Sequence, residues 1–129
     1  MTTTHPLDPV TADEIRAAVA VVAGDERYEP DMIVVHVRLS EPAKEAVVAH
    51  VASSPVDREV EVLLVPPARL DAIEVVVSVT EGEVRSWTVN PGMRPALLFG
   101  ESYSAIVGVK AHPEWQAALR RRGIDDFDK

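Results

Sequence analysis

Residues 11–24, TADEIRAAVAVVAG, are the stretch whose reading decides the fold. Thr11 followed three residues later by Glu14 spells a capping box. The hydroxyl accepts from the Glu14 backbone N–H, and the carboxylate reaches back to the N–H of Thr11. Behind it Ile15, Ala18, Val19 and Val22 recur at i, i+3, i+4 and i+7, one stripe of a 3.6-residue helix. Gly24 accepts left-handed dihedrals and offers a stop, and Pro9 lies just ahead of the helix. A lone amphipathic helix must bury its stripe, and the segments that follow have the pattern of strands. The expectation is a sheet wrapped over this helix, with Val19 on the buried side.

After the polar turn DERYEPD, residues 32–39 (MIVVHVRL) alternate, with Ile33, Val35, Val37 and Leu39 facing one way and Val34, His36 and Arg38 the other. In AKEAVVAHVA (43–52), Ala43, Val47 and Val51 are spaced for a second short helix or a connection at the sheet edge, ended by Ser53-Ser54-Pro55. Residues 59–65 (EVEVLLV) form a second strand with Val60, Val62 and Leu64 on one face, stopped by Pro66-Pro67, which cannot donate ladder hydrogen bonds. Residues 72–80 (AIEVVVSVT) form a third, with Ile73, Val75, Val77 and Val79 in register. Glu81-Gly82 turns the chain into a fourth at 83–89, EVRSWTV. Helix followed by strands on short turns predicts an α+β domain with a four-stranded antiparallel sheet over residues 1–92.

Asn90-Pro91-Gly92 and Pro95 mark a boundary. Beyond it ESYSAIVGV (101–109) and EWQAALRRR (114–122) read as two short helices separated at His112-Pro113. Trp115, Ala118 and Leu119 share one side of the second, whose basic last turn suits the helix dipole and whose stop is Gly123. With no strands of their own, residues 93–129 have the look of the helical start of a second, incomplete domain.

Composition narrows the function. A 47% apolar content supports a packed core, and 5% aromatic content makes that core Val, Ala, Leu and Ile. The formal charge of −8 argues against nucleic acid and against an anionic membrane surface. With no cysteine, disulfides and thiolate metal sites are excluded from these 129 residues. The polar, proline-broken start MTTTHPLDP carries no visible secretory signal, and no segment reaches transmembrane length, so the expected setting is the cytoplasm.

Four pieces carry a resemblance: HPLDPVTADEIRAAV (5–19), VRLSEPAKEAV (37–47), VSVTEGEVRSW (77–87) and HPEWQAALRRRGIDDFD (112–128). In that order they resemble the N-terminal, non-catalytic region of the copper-containing, topaquinone-dependent primary amine oxidases. The resemblance implies a small cystatin-like domain, a helix on a curled antiparallel sheet, and the opening of a second. It also implies a parent reaction, oxidative deamination of a primary amine to an aldehyde with release of ammonia and hydrogen peroxide. Copper, topaquinone, the precursor tyrosine in an Asn-Tyr-Asp/Glu setting, three histidine ligands and an aspartate base belong to the family's large catalytic part. None can be carried onto this chain. Pro66-Pro67 also departs from the glycine-containing hairpin turn expected between the middle strands.

The chain's own candidates for chemistry are few. Tyr28 follows Arg27 and Tyr103 follows Ser102, so neither matches the quinone setting. His5, His36, His50 and His112 lack the close spacing of a metal site, and His36 belongs to a polar strand face. Glu59 and Glu61 alternate as a polar surface. Asp125, Asp126 and Asp128 form a solvated acidic end without a calcium-type loop. No phosphate loop, nucleophile elbow or dinucleotide fingerprint occurs. The chain alone is therefore expected to be non-catalytic, docking through Tyr103, Ile106, Trp115 and Leu119 on a larger catalytic chain or on a second copy of itself. The rival from another class is a stand-alone cystatin-like binding or assembly module without oxidase activity. A ligand pocket inside the sheet fits poorly with inward positions that are nearly all Val, Ile and Leu.

Overall fold

The computed structural model describes residues 5–51, 54–69, 71–96 and 99–127. Ser53 and Asp128, named above, lie outside them. The elements run α1 (Ala12–Ala23), β1 (Ile33–Leu39), α2 (Lys44–Ala49), β2 (Glu59–Val65), β3 (Asp71–Ser78), β4 (Glu83–Pro91), α3 (Phe99–Ala111) and α4 (Pro113–Arg120). Two compact units divide between Arg94 and Pro95.

The first unit is the expected α+β arrangement: an open antiparallel sheet in the order β1-β2-β3-β4, with α1 packed against β2, β3 and β4. The capping box forms, with the Glu14 N–H donating to Thr11 Oγ1 at 3.2 Å and the Thr11 N–H donating to Glu14 Oε2 at 2.8 Å. Asp13 and Glu14 also place negative charge on the first turn, where the helix dipole favours it. Two details of the stripe differ from expectation. Ala18 and Val22 are the buried residues, whereas Ile15 is exposed and Val19 half-buried. Gly24 closes the helix at φ −85°, in the right-handed region, so its achiral freedom is unused there.

Period-2 alternation explains the centre of the sheet. Val60, Val62 and Leu64 on β2 and Ile73, Val75 and Val77 on β3 are all at most 1% exposed and meet Ala18 and Val22. Buried apolar side chains line the inward face of these strands, which suits a packed core rather than a ligand pocket. Trp87 on β4, opposite Val75, packs on the same core.

Alternation fails in β1. Val34 pairs with Leu64 and His36 with Leu63, which leaves Val35 as the extra residue of a bulge. Directly paired residues share a face. Val37 and Leu39 therefore side with Val62 and Val60 as expected, but ahead of the bulge Val34 rather than Ile33 pairs with core Leu64, and both remain exposed.

The β2–β3 turn needs no glycine. The Arg69 N–H donates to the Pro66 carbonyl at 3.2 Å, and Pro67 occupies the second turn position, where its fixed φ fits. The β3–β4 turn does need one, because Gly82 sits at φ +72°.

Candidate functional site

Residues 95–129 hold the apolar surface that the sequence nominated for docking. α3 carries apolar side chains all round: Tyr103, Ile106, Val107 and Val109 are each 49–63% exposed. In α4, Pro113 stands at the first turn, where its missing N–H costs nothing. The Gly123 N–H donates to the Arg120 carbonyl at 2.9 Å and the Ile124 N–H to the Leu119 carbonyl at 3.1 Å. With Gly123 at φ +75°, these bonds make a Schellman stop.

That stop turns the chain back, and the Phe127 ring meets Trp115 edge-on at 5.8 Å while the Arg120 guanidinium lies 5.0 Å over it. The four nominated residues thus fall into two pairs. Trp115 and Leu119 are half-buried, with Phe127 covering the indole, whereas Tyr103 is 63% and Ile106 54% exposed. Phe127 was missed in the sequence; the signal for it was the Gly123-Ile124 pair after a basic helix end.

Several of the titratable side chains that the sequence singled out sit in ordinary structural contacts. His36 Nε2 lies 3.6 Å from Glu61 Oε1, which also accepts from Arg38 at 2.7 Å. Hydrogen bonding from Arg38 holds the Glu61 carboxyl below its ordinary range, against the opposing effect of burial. Glu59 lies 3.6 Å from Arg85. His5 meets His50 edge-on at 5.5 Å, and His112 precedes α4 in solvent. Tyr28 packs against the core.

Arg58, which the sequence did not flag, is the hub. Its side chain is 5% exposed and its Nε donates to Glu14 Oε1 at 2.8 Å. Its Nη atoms donate to the carbonyls of Pro6 at 2.8 Å, Asp8 at 2.9 Å and Pro9 at 3.4 Å. Burial pushes the Glu14 carboxyl up, but the hydrogen bonds from Arg58 and Thr11 outweigh it and leave the group below its ordinary range.

A family model, described as the AGAO-like N2 domain, matches residues 11–87. That span runs from the cap of α1 to Trp87 of β4. The chain belongs to the AGAO-like N2 domain family. The domain's relatives extend the likeness beyond the sheet. The primary amine oxidase of Arthrobacter sp. (strain P1) is 33% identical over 125 residues, 96% of this chain and 19% of the relative. The primary amine oxidase of Klebsiella aerogenes is 30% identical over 97% of this chain and 17% of its own length. A copper-containing, peroxisomal diamine oxidase of Nicotiana tabacum is 33% identical over 98% of this chain and 20% of its own. The resemblance carried by the four sequence pieces is thereby borne out, and this N2-type chain spans about a fifth of the length of the relatives it matches.

The described residues do not fit a copper site: no three His, Asp or Glu side chains among them converge. Neither tyrosine has the neighbour that the quinone setting requires. No helix among the described residues is long and apolar enough to cross a membrane.

Proposed function

We propose that this chain is the non-catalytic, structural and docking portion of a copper amine oxidase that converts primary amines to aldehyde, ammonia and hydrogen peroxide. The observation that carries the reading is the asymmetry of coverage. Nearly all of this chain aligns with primary amine oxidases, yet it accounts for 19% of the Arthrobacter protein. Copper and topaquinone then reside in the larger catalytic part, and this chain supplies surface rather than a reaction step. The exposed Tyr103, Ile106, Val107 and Val109 of α3 support a docking role, because a helix with so many large apolar side chains in water favours a cover. The cover is a larger catalytic chain, with a second copy of this chain as the rival. A cytoplasmic setting is part of the same proposal, and cell fractionation tests it.

Amine-dependent peroxide formation provides the functional test. The isolated chain, loaded with Cu(II) under air, is expected to release none, whereas the particle that contains it in its own cells releases peroxide with primary amines. Turnover by the isolated chain would overturn the non-catalytic assignment. A peroxide-silent native particle would favour the stand-alone binding module.

A further inference from the structure

We infer that residues 5–10 form a strap latched by Arg58 to the end of the sheet, and that the latch sets one wall of a cleft beside α2. The strap, HPLDPV, cannot join the sheet as an ordinary strand, because Pro6 and Pro9 lack the N–H that a ladder needs. Its backbone oxygens find another partner. Arg58 offers five N–H donors in a rigid fork, and the hydrogen bonds to Pro6, Asp8, Pro9 and Glu14 use that fork on the strap and the α1 cap together.

The arginine is itself fixed. Its backbone N–H donates to Thr80 Oγ1 at 2.9 Å, and its carbonyl accepts from the Val79 N–H at 2.9 Å. Strap and helix cap therefore converge on the Arg58 side chain, and the β3–β4 turn holds its backbone. The family match begins at Thr11, but the hydrogen bonds carry the cooperative unit back to the strap.

Pro6, whose carbonyl Arg58 holds, lines a cleft of about 300 Å³ together with Ser40, Pro42, His50, Val56 and Glu59. The His5 ring closes onto His50 at the same place. With the strap released, that wall leaves, the cleft opens, and a buried guanidinium meets solvent. In the structure the strap walls the cleft, and Arg58 holds it there.

Hydrogen exchange followed by mass spectrometry and NMR on the whole chain tests this. In the parent, the Leu7 and Asp8 amides, which donate within the strap to His5 Nδ1 and the His5 carbonyl, should exchange about a hundredfold more slowly than in a free peptide, because Arg58 holds the neighbouring carbonyls and so fixes that turn. Arg58→Met should abolish that protection while the β2 and β3 amides, faster than in the parent by the loss of global stability, stay protected. Arg58→Lys keeps the charge but cannot reach three carbonyls at once, and should lose part of the protection and shift the His50 ring resonances. Free-peptide exchange of the strap in the parent overturns the latch even where Arg58→Met fails to fold. Unchanged strap protection in Arg58→Lys overturns it too, and unmoved His50 resonances in that variant break the link to the cleft.

Discussion

Arg58 Nε and Glu14 Oε1 lie 2.8 Å apart across 44 residues of chain, with side chains only 5% and 14% exposed. The pair joins the cap of α1 to the residue that precedes β2. Removing one member of a buried pair strands the other, which costs about 3–5 kcal/mol. Arg58→Met is expected to destabilise the first unit by about that amount in urea denaturation. Glu14→Gln should cost less, about 1–3 kcal/mol, because three carbonyls still face the guanidinium. The double variant should be less destabilised than the sum of the two, and strict additivity would deny the coupling.

Acid should unfold the domain through its carboxylates. Glu14 and Glu61 lie below their ordinary value of 4.5, and hydrogen bonds from Arg27 hold Asp25 at about 2 against an ordinary 3.8. Groups with a depressed folded pKa stabilise above the unfolded value, and that stability goes as pH falls through the folded one. Tm should therefore be level from neutrality to just above 4.5 and fall below it, with a shallower fall in Glu14→Gln. A Tm that rises between pH 5 and pH 3 would contradict this.

The helix stripe makes a sharp comparison. Val22 is 1% exposed whereas Val19 is half-buried. An unpaired carboxylate in the core is severely destabilising, so Val22→Asp should leave the chain unfolded at room temperature by circular dichroism. Val19→Asp, which the sequence stripe alone would rank as equally damaging, should keep a folded, less stable population.

The helical unit separates docking from folding. Tyr103→Asp and Ile106→Asp replace exposed side chains and should change the stability of the isolated chain by no more than about 0.5 kcal/mol. Both should weaken retention in the native particle, measured by co-purification. Trp115→Ala removes the partner of Phe127 and should also lower the melting of the helices. Tyr103→Asp protein retained at parental yield would remove α3 from the docking surface.

What was legible in the sequence was what local periodicity controls. The capping box, the bounds of β2 and the six central core residues of β2 and β3 follow from spacing alone. The bulge at Val35 did not, because an extra residue reverses inside and outside without disturbing the run of apolar letters. Arg58 was illegible for a related reason. A single arginine before a strand looks like solvent-facing charge, and only the return of Pro6, Asp8 and Glu14 to the same place makes it buried. Phe127 gains its meaning only once the Schellman stop folds it onto Trp115. For docking, the sequence nominated Tyr103, Ile106, Trp115 and Leu119 alike, while the fold leaves Tyr103 and Ile106 open and half-buries the other two.

Native mass spectrometry of the particle purified from the protein's own cells, with copper and redox-active quinone assayed on the same sample, tests the central claim most directly. The account predicts this sequence in a particle several times the mass of 129 residues, carrying both copper and quinone. A monomer or homodimer of this chain with neither would contradict it and leave an AGAO-like N2 domain working as a binding module on its own.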